Sequence, residues 1–487
     1  MSAHYDPRDV AAPAYHFIAG APVFDGEAMD VRRPSDGAVH AGLPLGDADL
    51  VDRAAHAGAA AQKVWINRAP RERARVLRVW ADLIGAHKED IARLESLVSS
   101  RFYTEALAVD VANSAEWLRY YAECCDKIDD TLLPTGDEAM GLVASEPYGV
   151  VGAIAPWNFP LILAMWKVAP ALAAGNAIVL KPSEFTPFSV VRVAELGVQA
   201  GLPPGLFNVV QGLGPSVGAA IVRHPLIGYV AFTGSTATGR TLMTDAAQFG
   251  PKPVGLELGG KGAQLVLADA GDLEKIAEQV AWGVTRNGGQ LCYAGSRLIV
   301  HETLAEPLLE KVAARFAALR PGATWAHDAT LPPILNQKQA QRIESIVNDA
   351  IAQGARARCG AVLREEGGAW FVPTILENVA PTMRAVKEEI FGPVLTVQIF
   401  RDADEGFALA EHDDYGLATS VYTRDVVSAI KAARRMQAGT VWVNTWGRKP
   451  DFTAPFGGWK RSGFGQEAGK AGFEKYRRHK TIWFDLS

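Results

Sequence analysis

The chain reads as an α/β protein, with a doubly wound parallel sheet followed by a second α/β unit. Short apolar runs alternate with helical segments from Gly149 to Leu258, which is the rhythm of repeated βαβ units. Those runs are apolar at consecutive positions, as strands buried on both faces must be. After Gly259-Gly260 the alternation starts again, and 487 residues are too many for one small core.

Taken in order, Met1 to Tyr15 reads as a loose arm with no secretory signal. Apolar positions three and four apart predict helices across Asp47 to Ala122. Ile128 to Val143 turns extended, because Leu132, Leu133 and Pro134 interrupt any helix. Strands are predicted at Gly149–Ala155, Ala177–Leu180, Phe207–Val210, Tyr229–Phe232 and Val254–Leu258. Val150 to Leu180 is almost wholly apolar, but Pro156, Asn158, Pro160, Lys167, Pro170 and Asn176 punctuate it. It reads as strand, turn, buried helix and strand, not as a membrane span.

In the second unit, strands are predicted at Ala263–Leu267, Ser296–Val300, Trp370–Leu376, Val394–Phe400, Ser420–Tyr422 and Val441–Asn444. Helices are predicted at Asp272–Arg286, Ala305–Ala318, Lys338–Gln353, Asp404–Glu411 and Val426–Gln437. Lys480 to Leu486 is a terminal strand that needs a partner, and Ile128 to Val143 is the candidate, within one subunit or across two.

Charged residues make up 21% and apolar ones 48%, with a formal net charge of −5, so no basic footprint for nucleic acid exists. The four cysteines form no disulfide framework, and a reducing cytoplasm is the expected compartment. No residue is assigned to a metal.

Chemistry gathers at a few places. Cys292 sits among small residues in Asn287-Gly288-Gly289-Gln290-Leu291-Cys292, presented as a nucleophile would be, although many free cysteines are only core residues. Glu257 ends an apolar strand, where burial raises a carboxyl group toward the range of a general base; the plain alternative is an ion pair with Lys261. Asn158, bracketed by Pro156 and Pro160, suits an amide preorganised toward an oxyanion. The turn Phe232-Thr233-Gly234-Ser235 to Gly239 follows a strand and opens a helix, so its N–H groups can face a phosphate. Lys181-Pro182-Ser183-Glu184 lies past another strand, where ribose hydroxyls and an adenosine would sit.

Together, Pro156 to Pro160, Lys181 to Glu184, Phe232 to Ser235, Leu256 to Lys261, Gly289 to Cys292 with Ala294 to Arg297, Glu389 to Pro393 and Pro455 to Gly458 occur in the order seen in the aldehyde dehydrogenase superfamily. The chain resembles that family from about Phe17 onward. The resemblance implies an NAD-binding domain over 1–125 and 148–257, a catalytic domain over 258–462, and an oligomerisation extension over 126–147 and 470–487.

It further implies that Cys292 attacks an aldehyde, that Asn158 holds the oxyanion, that Glu257 activates water, and that Lys167 assists proton passage. Trp157, Lys181, Ser183, Glu184, Gly234, Ser235, Gly239, Leu258, Gly259, Glu389 and Phe391 would hold NAD. Glu184 disfavours a 2′-phosphate, while Lys181 leaves NADP use open. A homo-oligomer, dimer or tetramer, is implied. A CoA-acylating relative would lack the base at Glu257 and a non-catalytic one the nucleophile, and no histidine motif pairs with Cys292 as in a hydrolase.

Ser99-Ser100-Arg101 and Gly262-Ala263 depart from the family pattern, and Asp269 to Asp272 holds one extra residue in a surface loop. Phe159, Trp166, Tyr293, Trp446 and Phe456 fall where relatives line the substrate tunnel. The final third is similar to γ-glutamyl-γ-aminobutyraldehyde and other aminoaldehyde dehydrogenases. Asp451 would meet an ammonium group, whereas Arg448 and Lys449 would favour an acidic tail. Betaine aldehyde and aromatic or aliphatic aldehydes are the alternatives.

Overall fold

The computed structural model describes residues 3–364, 368–447 and 451–487. Two large sheets organise it. The first has eight strands, in the order Ala21–Val23, His16–Ile18, Phe207–Val209, Ala177–Lys181, Val150–Ile154, Ile227–Thr233, Val254–Glu257 and Gly463–Phe464. Its five central strands are parallel. Strand order reverses between Val150–Ile154 and Ile227–Thr233, and in doubly wound sheets ligands bind beyond the strand ends at such a point.

Every residue of Val150–Ile154 and of Ala177–Lys181 is buried, which explains their unbroken apolar sequence. Helix Pro160–Ala173 between them begins on Pro160, where a missing N–H is harmless. It is stopped by Gly175 at φ +96°.

The second sheet has seven strands, in the order Arg356–Cys359, Thr374–Glu377, Val394–Phe400, Arg297–His301, Ala263–Val266, Ala418–Tyr422 and Thr440–Val443. All pairs but the first are parallel. A third sheet joins Arg477–Asp485 to Ala139–Pro147, which also pairs with Thr131–Leu132. The terminal strand therefore finds its partner within the chain. Among the described residues no helix is long and apolar enough to cross a membrane.

Several expectations need correction. The arm before Tyr15 is not loose where it is described: Tyr5 pairs its hydroxyl with Ser96 Oγ at 2.8 Å, and Tyr5, Val10, Ala12 and Ala14 pack on the cluster around Phe188 and Leu97. Residues before Asp47, given no strand above, form His16–Ile18, Ala21–Val23, Ala28–Arg32 and Val39–Pro44. Trp370 to Leu376 is two strands, Trp370–Phe371 and Thr374–Glu377, in different sheets, because Pro373 between them has no N–H to donate. The long front helix contains a π-helical stretch, Ala106–Val111. Arg101, in the stretch that departs from the family pattern, is fully buried and grips Asp110 with two hydrogen bonds of 2.7 and 3.1 Å.

Candidate active site

Two cavities meet at Cys292. One, of about 450 Å³, opens at the strand-order reversal and is lined by Trp157, Gly234, Ser235, Leu258, Gly259, Glu389 and Phe391, among others. The other, of about 300 Å³, is a largely aromatic tunnel. Asn158, Leu163, Thr233 and Cys292 belong to both walls, so the thiol stands where two ligands would touch.

The backbone before the cysteine is unusual. Asn287, Gly288 and Gly289 all have positive φ, at 51°, 63° and 73°. A Cβ on Gly289 would lie 2.2 Å from the Gly392 carbonyl carbon, so only glycine fits this approach. Side chains then lock the turn. Asn287 Nδ2 donates to the Asn158 carbonyl at 2.9 Å, and Asn158 Nδ2 donates to the Gln290 carbonyl at 3.0 Å. An amide NH2 has two hydrogens, so Asn158 keeps a second donor for an oxyanion. Burial first, then the nearby Glu389 and Glu257 carboxylates, pushes the Cys292 thiol up.

Glu257 lies in the tunnel wall, and neither carboxylate oxygen has a hydrogen-bond partner among the described residues. Burial first and the Glu467 carboxylate second raise it well above the ordinary value. The alternative of an ion pair with Lys261 does not hold: Lys261 Nζ makes no hydrogen bond among the described residues and lines a separate small cavity with Arg297 and His412. Burial lowers its pKa to about 7.

Lys167 is fully buried and donates to Thr233 Oγ1 and Glu467 Oε1, both at 2.7 Å. Glu467 also meets Lys475 at 3.1 Å. Burial pushes the Glu467 carboxyl up, but the two ammonium groups outweigh it and hold it below its ordinary value. Neither Glu467 nor Lys475 was anticipated.

The larger cavity suits a dinucleotide. Helix Thr236–Gln248 starts on its wall, with Ser235 as N-cap accepting from Thr238 N at 3.2 Å, and Thr236 and Ala237 of its first turn line the cavity, a setting that suits an anion. Glu389 Oε1 accepts from Gly260 N at 3.0 Å, and its other oxygen lies against Gly259, where a Cβ would approach to 2.5 Å. Phe391 adopts φ 58°, a strained value for a bulky residue, and meets Trp157 edge-on at 5.2 Å. Arg342 and Gln339, both missed above, hold that loop through the carbonyls of Glu389, Ile390 and Phe391.

Lys181, Ser183, Glu184 and Gly239 do not line this cavity. Lys181 donates to Glu184 at 3.0 Å just past its strand. Gly239 instead allows close packing, since a Cβ there would lie 2.7 Å from Leu258 Cδ2.

The tunnel contains Phe159, Trp166, Tyr293, Trp446, Asp451 and Phe456, all named above. Tyr293 stacks on Trp446 at 5.4 Å, and Trp166 meets Phe456 at 5.6 Å. Trp117, Trp442, Phe452, Asn113 and Arg286 complete the wall and were not foreseen. Arg286 makes no hydrogen bond among the described residues; its nearest carboxylate is Glu105 at 3.9 Å, already held by Arg101 at 2.8 Å. Asp451 accepts from Thr453 and Ala454. Arg448 and Lys449 lie outside the described residues.

Asp52, His56 and His224 cluster at the surface away from these cavities. His224 Nδ1 accepts the Leu226 N–H, so its Nε2 carries the proton that faces Asp52 at 3.2 Å. The cluster is thus already satisfied by hydrogen bonds.

Cys292, the Asn158 amide and the Glu257 carboxylate thus stand together where the tunnel meets a cleft wide enough for a dinucleotide. The chain belongs to the aldehyde dehydrogenase family, which matches residues 23–482. It is 39% identical over 468 residues to the aminoacetaldehyde dehydrogenase of Pseudomonas aeruginosa, covering 95% of this chain and 93% of that protein. Among solved structures it resembles an indole-3-acetaldehyde dehydrogenase complexed with NAD+, with TM-score 0.96, 36% identity and complete coverage of both chains. The γ-glutamyl-γ-aminobutyraldehyde dehydrogenase of Burkholderia cenocepacia J2315 matches with TM-score 0.95 and 38% identity, covering 99% of this chain and 98% of that one.

Proposed function

We propose that this enzyme oxidises an aldehyde to its carboxylic acid with NAD, water supplying the second oxygen. The observation that carries the reading is the meeting of both cavities at Cys292, with the spare Asn158 donor and the unpaired Glu257 carboxylate beside it.

Glu257, Trp157, Gly234, Ser235, Leu258, Gly259, Glu389 and Phe391 have distinct tasks here. The last seven would hold NAD, whose nicotinamide supplies a hydride acceptor when bound. Lys181, Ser183 and Glu184 would serve its adenosine side, and the Glu184 carboxylate favours NAD over NADP. Cys292 sulfur bonds to the aldehyde carbon as the thiol proton passes to water in the cleft, the carbonyl π electrons move onto oxygen, and the developing oxyanion is met by Asn158 Nδ2 and the Cys292 N–H. Loss of hydride leaves a Cys292 thioester. Glu257 then takes a proton from water as the water oxygen bonds to the acyl carbon, and the carbon–sulfur bond breaks with its electrons on sulfur. Lys167 and Glu467 lie behind Glu257, where they would carry that proton onward.

For the substrate, the aromatic tunnel favours an aldehyde with an aryl or apolar body. A second reading, an aminoaldehyde or betaine aldehyde, draws on Asp451 and on cation–π attraction from the rings. Arg286 on the same wall opposes an incoming ammonium. We also infer a homo-oligomer, because the paired terminal strand exposes Trp483 (59%) and Leu486 (59%).

Purified enzyme with NAD+ and a panel of benzaldehydes, straight-chain aldehydes, aminoaldehydes and betaine aldehyde should produce NADH, with the highest kcat/KM on an aryl or alkyl member. Cys292→Ala should abolish turnover. Glu257→Gln should release one burst of NADH and then stall as acyl-enzyme. Inactivity on every aldehyde, or full steady turnover by Glu257→Gln, would refute the assignment.

A further inference from the structure

Two ammonium groups share one buried carboxylate behind the base. Lys475, just past helix Gly469–Glu474, places Nζ 3.1 Å from Glu467 Oε1, the oxygen that Lys167 reaches at 2.7 Å. Its side chain is only 11% exposed. Burying a second ammonium in this way is expensive, and Lys167 alone already balances Glu467. The Tyr476 ring, 5.1 Å below the ammonium, offsets only part of that cost, so the extra charge needs an anionic partner as well.

That partner is Glu257. The charged groups facing it are Glu467, Lys475 and Lys167. The Cys292 thiol and the Tyr229 phenol also face it, and burial keeps both neutral. With Glu257 protonated, the cluster of two lysines and one glutamate holds one uncompensated positive charge. With Glu257 ionised, the charges cancel.

We propose that Lys475 is a positioning residue for the hydrolytic step, acting through Glu257: its ammonium is the countercharge that lets this carboxylate ionise where no hydrogen-bond donor among the described residues reaches it. The inference rests on the reading of Glu257 as the base. Without Lys475, ionising Glu257 would leave a net negative charge in a dry cluster, so the carboxyl would keep its proton and water would go unactivated. Acylation of Cys292, which does not require that carboxylate in ionised form at each hydride loss, would be spared.

The test uses the full-length enzyme with NAD+ and its best aldehyde, comparing wild type with Lys475→Met, Lys475→Gln and Lys475→Arg. Stopped-flow NADH formation reads acylation, and the pH profile of kcat reads the base. Lys475→Met and Lys475→Gln should keep the NADH burst, lose about tenfold in kcat at pH 7 and shift the acidic limb up by about one pH unit. Lys475→Arg should restore the wild-type limb.

Gln can still hydrogen-bond Glu467, so it separates charge from packing and serves if the Met variant does not fold. An unmoved acidic limb in Lys475→Gln would overturn the proposal, as would a uniform loss of burst and turnover at every pH. Full turnover by Glu257→Gln would overturn the underlying reading as well, and is recognised without any Lys475 variant.

Discussion

A carboxylate buried without a donor weakens the fold that holds it, and Glu257 is such a group. Its pKa is raised in the folded chain, so the native state binds a proton that the unfolded chain has released above its ordinary 4.5. The stability this provides is complete below that value and is lost as pH rises through the folded pKa. Glu257→Gln should therefore be more stable than wild type at pH 8, by on the order of 1–3 kcal/mol, with the gap closing toward pH 4. Thermal melts across pH check this, and an equal gap at both ends would contradict it. Cys292, Glu257 and Asn158 were legible in the sequence because each lies in a short local motif. Glu467 and Arg286 were not: Glu467 reaches the site only because the fold brings it within 2.7 Å of Lys167, 300 residues away, and Arg286 looked like any surface arginine at a helix end.

At the scale of elements, the turn that presents Cys292 is the most constrained backbone described. Gly289 needs both its positive φ and its missing Cβ. Gly289→Ala should lower stability by about 2–4 kcal/mol and reduce kcat more than it raises KM, as read by denaturant melts and steady-state kinetics. Wild-type stability would refute the packing argument. The parallel strands were readable because burial on both faces writes an unbroken apolar run. The strands before Asp47 were not, since Ala21–Val23 and Ala28–Arg32 are short and mostly exposed. The π-helical stretch Ala106–Val111 has no periodic signal of its own, yet it brings Val109 into the tunnel wall and leads to Asn113 beside it.

For the whole molecule, the terminal strand Arg477–Asp485 pairs along its full length with Ala139–Pro147. Removing residues 477–487 would leave that long strand with an open edge and take away the exposed Trp483 and Leu486. The intact chain should scatter light as an oligomer, and the truncated one should lose mass to smaller species or aggregate. A monomeric full-length protein would refute the assembly. The α/β class and the central strands were foreseen, because burial on both faces leaves an unbroken apolar run, whereas their order across the sheets was not read from the sequence. The return of Gly463–Phe464 to the first sheet was not, since a two-residue strand leaves no pattern.

That return has a bearing on the order in which the protein matures. Gly463 pairs with Glu257 itself, and Ser462 accepts the Leu258 N–H at 2.8 Å. During synthesis the base strand emerges long before the segment that closes over it, and the first sheet waits with an unfinished edge while the second is made. Loop closure over such a span is slow. A ribosome-bound chain would thus gain most of its first sheet early and the closed edge beside Glu257 late, so activity would report on the arrival of the Gly463–Phe464 segment.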